Sequence, residues 1–248
     1  MHGEPAVDYR ASHSTRGYAR TYARTYESGF YQRQWETIER PLVERLLRAR
    51  ADAGATTLID FACGTGRITE LATRLFPSVV GVDVAPEMLA AARARCPAAR
   101  FLEVDITRAA LCERADVVTA FRFFLNAGSD LRLEALTALW RILKQPGGVL
   151  IANVHVNRRS PLGIAYRMRN ALTRRVTANS LSLADMRAAL VQTGFRVDEV
   201  HYYSVLPRLG WWFPRWWEAL MDPAERLGQR FRWVQQRAQC FLVVARVR

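Results

Sequence analysis

Apolar and polar positions along this chain recur on two different periods. Short apolar runs without polar alternation occupy 58–62, 79–83, 101–104, 116–121 and 148–154. Between them, 66–75, 86–95 and 131–143 carry helical spacing. Strands that are apolar on both sides need cover on both faces, so the pattern predicts an α/β fold around a parallel sheet. Upstream, Trp35, Ile38, Leu42, Val43, Leu46 and Leu47 recur at steps of three and four and predict a leading helix within 18–51. Residues 1–17 are expected to be disordered. After strand five the rhythm breaks. Ser182 reads as an N-cap with Asp185 at the third helical position, and Gly194 closes that helix before a sixth strand. Asp222-Pro223 reads as the start of another helix with Leu227, Phe231 and Val234 on one face. A seventh strand occupies 240–245. The 248 residues fit one domain, 18–248, with insertions at about 157–179 and 206–239.

Residues 58–69, Leu-Ile-Asp-Phe-Ala-Cys-Gly-Thr-Gly-Arg-Ile-Thr, hold the densest chemistry. A strand ends in Asp60, turns on Gly64 and Gly66, and enters a helix. Glycines admit backbone conformations closed to other residues and clear room for a ligand against the main chain. The third glycine of a dinucleotide site is replaced by Thr69. Asp60 suits an ammonium-bearing ligand better than a pyrophosphate. Asp83 ends the second strand, 23 residues after Asp60 and about one βαβ step along, where a carboxylate can accept both ribose hydroxyls. Asp105 ends the third strand.

In this order the pieces resemble the class I S-adenosylmethionine (SAM)-dependent methyltransferases of small-molecule type, over roughly residues 35–205 and again from Cys240. The resemblance implies a Rossmann-like, doubly wound seven-stranded sheet with its last strand antiparallel. It also implies a helical N-terminal cover and two inserted cap segments. SAM is the implied cofactor. Asp60, Ala62, Gly64 and Gly66 are then expected at its methionine portion, and Asp83 at the ribose. Val84 and Met88 border the adenine, Asp105 with Ile106 reads its edge, and Phe121 lines the site. The turn at 143–148 departs from the family's Leu-Lys-Pro-Gly-Gly by one extra residue, Gln145. No Pro-Pro-Tyr type amino-group motif follows strand four, which favours O-methylation.

Charge sharpens the picture for the acceptor. The formal net charge is +13, of which 16 Arg and 6 acids in 151–248 supply +10. Arg158, Arg159, Arg167, Arg169, Arg174 and Arg175 in the first insertion could bind an anion, or could simply face solvent. The second insertion holds five of the seven tryptophans, including Trp211, Trp212, Trp216 and Trp217. This segment reads as a packed cap, as the wall of an apolar acceptor pocket, or as a peripheral membrane contact through 211–237. Cys63, Cys96, Cys112 and Cys240 are too widely spaced to pair as metal ligands, so no metal is expected. The absence of a long apolar run and of an N-terminal apolar segment predicts a cytoplasmic protein, with membrane association left open.

For catalysis, His155 at the end of strand five is the first candidate for a general base, and Arg122 after strand four is the most suggestive charge near the methyl group. Each has a plainer reading, as a hydrogen-bonded strand-end residue or a solvated Arg. His201 is a weaker candidate. From the leading helix, Tyr22, Tyr26, Tyr31 or Arg33 could reach the cofactor. The sequence points to methyl transfer to a small-molecule or lipid-linked acceptor, such as an anionic sugar or natural-product intermediate. An RNA methyltransferase and a non-catalytic SAM-binding or membrane-attached scaffold are the alternatives. No separate basic appendage accompanies the domain, so specific nucleic-acid binding is not expected.

Overall fold

A computed structural model describes residues 25–26, 29–173, 180–206 and 214–248, with the side chains of 214–218 excluded. The disorder expected for 1–17, Tyr22, Arg174, Arg175 and the Trp211, Trp212, Trp216 and Trp217 side chains lie outside the described residues.

The chain enters through α1 (Gly29–Gln34), a π-helical turn (Trp35–Glu39) and α2 (Arg40–Asp52). Then follow β1 (Thr57–Phe61), α3 (Arg67–Ala72), β2 (Ser78–Asp83), α4 (Pro86–Arg95), β3 (Arg100–Glu103), β4 (Val117–Ala120), α5 (Ser129–Ile142) and β5 (Val149–Val154). Beyond them lie α6 (Pro161–Thr173), α7 (Leu183–Gln192), β6 (Phe195–Tyr203), α8 (Pro214–Gly228), α9 (Arg232–Gln235) and β7 (Cys240–Val247).

The seven strands form one sheet in the order β3-β2-β1-β4-β5-β7-β6. The β1 to β5 pairings are all parallel, whereas β7 runs antiparallel between β5 and β6. The expected doubly wound architecture is the observed one. Period-2 alternation divides the core. Leu150, Ala152, Phe241, Val243 and Ala245 pack with Leu136 and Leu139 of α5 and Leu190 of α7. Ile151, Leu242 and Val244 face the other way, toward Val43 and Leu47 of α2 and Ile68 and Leu71 of α3. Every one of these strand residues therefore buries its side chain against a helix, which is why the strands read as unbroken apolar runs.

The expected capping box is present at α7. Ser182 Oγ accepts from the Asp185 N–H, and the Asp185 carboxylate accepts from the Ser182 N–H at 2.8 Å. Asp222-Pro223 is a correction, because both residues lie inside α8 rather than at a helix start. Pro223 has no N–H, so the helix continues through it with one internal hydrogen bond fewer. Asp222 reaches across to Arg33 of α1 at 3.6 Å instead of capping. The segment after β5 is tied back to the sheet by the buried Asn157, whose Nδ2 donates to the carbonyls of Gln236 and Ala238 at 2.9 and 3.0 Å.

Candidate active site

Strand order reverses between β1 and β4, and ligands of open α/β sheets bind beyond the carboxyl ends of the strands at that reversal. Two cavities meet there and share Ala62 in their walls. One is mainly apolar, with Phe61, Val84, Phe123 and Leu131 around the carboxylates of Asp83 and Asp105. The other is more polar, with Glu39, Asp60, Arg67 and Arg122 among Gly64, Phe121 and Trp35.

The β1–α3 turn shapes the junction. Ala62, Gly64 and Gly66 all take positive φ, at 53°, 54° and 79°. The two glycines have different work. A Cβ on Gly64 would meet nothing within 4 Å, so this residue keeps main chain open to the cavity. A Cβ on Gly66 would lie 3.1 Å from the Ala92 Cβ, so this glycine lets α3 start tight against α4 and lines neither cavity. Asp83 stitches its strand to the turn. Its Oδ2 accepts from the Gly64 N–H at 2.8 Å and its Oδ1 from the Ala85 N–H at 3.0 Å. Asp105 accepts from the N–H and hydroxyl of Thr107 at 3.0 and 2.6 Å.

Asp60 is 1% exposed. Its oxygens accept from the hydroxyls of Thr69 at 2.6 Å and Thr119 at 2.7 Å. Burial pushes its pKa up to about 6, and those hydroxyl bonds only partly oppose the shift. Val84 joins the apolar wall and Phe121 the polar one. Met88 and Ile106 are buried and line neither cavity, Ile106 packing instead into the core over β1 and β2.

Sequence reasoning missed the residue that organises the polar cavity. Glu39, at the end of the π-helical turn, is 2% exposed. Its Oε1 accepts from Tyr203 Oη at 2.7 Å and from Asn153 Nδ2 at 3.0 Å. Its Oε2 pairs with Arg122 Nη2 at 3.3 Å. The Asn153 Oδ1 in turn accepts from the Arg122 N–H at 2.7 Å, which pins a non-glycine residue at φ 59°. The Arg122 guanidinium lies 4.1 Å from the centre of the Tyr26 ring. Nothing in hydrophobic periodicity marks Glu39, since a lone Glu in an amphipathic helix reads as solvent-facing. The one available hint is its place on the apolar side, one residue after Ile38 and three before Leu42.

His155 directly follows β5, next after Val154. Burial, with the nearby Arg122 charge adding to it, pushes its pKa down to about 3. The imidazole is therefore neutral at physiological pH and accepts a proton reluctantly. His201 is engaged elsewhere, 2.9 Å from Glu199. Tyr31 adds a second ring 5.9 Å from the Arg122 guanidinium.

Residues 58–148 match the family described as "Methyltransferase domain". Trans-aconitate 2-methyltransferase of Acidovorax sp. (strain JS42) is 30% identical over 187 residues, which span 73% of this chain and 67% of that protein. The malonyl-(acyl-carrier protein) O-methyltransferase of Serratia marcescens is 32% identical over 114 residues, 46% of this chain and 44% of that one. Among solved structures, magnesium protoporphyrin IX methyltransferase from Synechocystis PCC 6803 with bound S-adenosylhomocysteine (SAH) superposes with a TM-score of 0.67 at 16% identity. That superposition covers 96% and 97% of the two chains and is a likeness of fold. The chain belongs to the class I SAM-dependent methyltransferases, and SAM is its cofactor.

Two outcomes follow from this geometry. Glu39→Gln keeps the shape but leaves Arg122 without its charge partner in a nearly buried place, and is expected to cost about 3 kcal/mol. Tyr203→Phe removes two neutral-donor hydrogen bonds, the donation to Glu39 and the acceptance from Asn153, and should cost about 1–2 kcal/mol. Urea unfolding measures both, and equal small losses would show that the ion pair does not organise the fold. An ammonium group bound beside Asp60 favours the ionised carboxylate, so binding is full well above pH 6 and weakens below it. With a pKa near 6, the SAH dissociation constant should rise about tenfold from pH 7.5 to pH 5.0. Asp60→Asn should flatten that profile in calorimetry. A constant affinity in the unmutated protein would remove Asp60 from the ammonium site.

Proposed function

We propose that this methyltransferase esterifies a carboxylate oxygen of a small anionic acceptor. The observation that carries the reading is Arg122, whose guanidinium is held at the wall of the polar cavity by Glu39 and Tyr26, while Asn153 fixes its main chain. The two-cavity site suits SAM. The apolar chamber with Asp83 and Asp105 fits a nucleoside, and the open main chain at Gly64 with the buried Asp60 fits its amino-acid end. When bound, SAM supplies a methyl group already activated by its sulfonium. A carboxylate oxygen is nucleophilic without losing a proton, so the protein's share is placement and exclusion of water. In this reading Arg122 orients the acceptor carboxylate, and Phe121 and Trp35 keep the chamber dry. His155, held neutral, is not needed as a base. The names of the curated relatives point the same way, since trans-aconitate and the malonyl group both carry free carboxylates.

A second reading concerns how a lipid-linked acceptor could be reached. Leu227 (57% exposed), Phe231 and Trp233 (63% exposed) stand out from α8 and α9 beside the exposed Arg226, Arg230, Arg232 and Arg237. Apolar anchors among arginines suit an anionic lipid surface. No helix among the described residues is long and apolar enough to cross a membrane.

The chain, labelled SAM and a panel of small carboxylic acids should yield a methyl ester that alkali hydrolyses. Arg122→Leu should raise the KM for the acid more than tenfold. An alkali-stable methyl product, or label passing to bulk RNA instead, would overturn the carboxylate assignment. For the second reading, the chain should co-sediment with phosphatidylcholine vesicles only when phosphatidylserine is included. Leu227→Ser/Phe231→Ser/Trp233→Ser should abolish that, and equal pelleting of both forms would end the membrane idea.

A further inference from the structure

The polar cavity shares a wall with a second, larger space. This outer cleft is lined by α1, the π-helical turn, α3 and the ends of α2 and α4, and has a volume of about 430 Å³, against about 40 Å³ in the polar cavity. Trp35 and Arg67 stand in the walls of both and form the partition between them. The Arg67 guanidinium lies 5.1 Å from the centre of the Trp35 ring, and its Nη2 donates to the Tyr26 carbonyl at 3.0 Å. Tyr26 also lines the outer cleft, and its ring is the one that carries the Arg122 guanidinium. The cleft and Arg122 are thus neighbours through a single side chain.

Guanidinium groups dominate the charge of this cleft. Arg40, Arg67, Arg74 and Arg95 line it, against two acids, Glu36 and Glu70. Both acids are already engaged, since Glu70 pairs with Arg74 at 3.1 Å and Glu36 accepts from Gln32 Nε2 at 2.9 Å. The half-buried Arg40 has no hydrogen-bond or ion-pair partner for its guanidinium among the described residues. Four cations and two anions leave a surplus of two positive charges in a concave space. Low-dielectric walls concentrate the field of such a surplus, and guanidinium forks match the paired oxygens of a carboxylate or phosphate. The cleft is in the size range of small-molecule sites, so it has room for more than a lone ion.

We propose that the outer cleft holds the far end of the acceptor, and that this end carries a second anionic group, a carboxylate or a phosphate, bound by Arg40 and Arg95. This rests on the carboxylate reading above and extends it to the rest of the molecule. One carboxylate enters the polar cavity beside Arg122 and is methylated, while the remainder passes Trp35 and Arg67 into the cleft. The two volumes support this division, because the inner space admits only a reacting end and the outer one admits the body of a small molecule. An acid with a single negative end would leave the distal arginines unpaired, so the arrangement selects acceptors charged at both ends.

The experiment follows methyl ester formation from a series of dicarboxylic acids, succinate to sebacate. Each is set against the monocarboxylic acid and the ω-phosphono acid of the same chain length. At the length that spans the partition, an acid with two anionic ends is expected to show a kcat/KM at least about tenfold above its monocarboxylic counterpart. Whichever of carboxylate and phosphonate gives the larger ratio identifies the distal group. Arg40→Gln and Arg95→Gln should each bring the ratio toward one, and SAH calorimetry on these variants checks that the cofactor site is intact. In the unmutated protein loaded with SAH, calorimetry should show the same preference, shrinking as sodium chloride is raised. This readout stands even if a variant fails to fold. Equal ester formation from all members at every length, or a preference unchanged in both variants, would overturn the distal site and leave carboxylate methylation intact. Failure of every acid to form an ester would overturn both.

Discussion

The Glu39 carboxylate is the constraint on which the polar cavity depends. One buried anion joins the N-terminal segment to β5 through Asn153, to β6 through Tyr203 and to the end of β4 through Arg122. A charge in such a place is expensive to desolvate and is tolerated only when fully paired and hydrogen-bonded. The arrangement cannot loosen one contact at a time, because each group that left would strand another. The N-terminal cover is thereby fixed to the strand tips, and the polar cavity acquires a roof whose position is set by electrostatics as much as by packing.

The cofactor side obeys a different logic. There the carboxylates of Asp83 and Asp105 are held in place by backbone N–H groups and a threonine hydroxyl. Asp60 alone is sealed away from solvent, and its raised pKa expresses the cost of that position. A cation placed beside Asp60 would offset this cost by favouring the ionised carboxylate.

The cofactor half was legible in the sequence because strand ends and glycine turns are local features. Asp60, Gly64, Asp83 and Asp105 each lie at or just beyond a short apolar run, whereas the sheet's architecture came from the family resemblance. Three residues expected at the cofactor line neither cavity, for reasons that a linear reading cannot hold. Gly66 answers to Ala92 of α4, a contact made only after folding, and Met88 and Ile106 turn toward the interior. The acceptor half was much less legible. Glu39, Asn153 and Tyr203 come from three separate segments and meet through contacts spanning more than a hundred residues. None carries a spacing signal, because hydrogen bonds among buried polar side chains impose no period on the chain. The helix start read at Asp222-Pro223 failed because a proline marks a first turn only when nothing upstream is already helical.

The π-helical turn at Trp35–Glu39 has a bearing on how this protein tolerates change in length. The Arg40 N–H reaches the carbonyl of Trp35, five residues back, so this turn carries one residue more than an α-helix needs. Excising a single residue there would let the ordinary α pitch run uninterrupted from Gly29 to Asp52. Everything upstream would then swivel by about 100° about the axis, swinging Gln34, Tyr31 and Tyr26 away from the strand tips while α2 kept its seat on the sheet. The surplus residue acts as a phase-setter along one rod, and a one-codon deletion at this point would re-aim everything upstream relative to α2 and disturb the seats of Trp35 and Ile38 on the core.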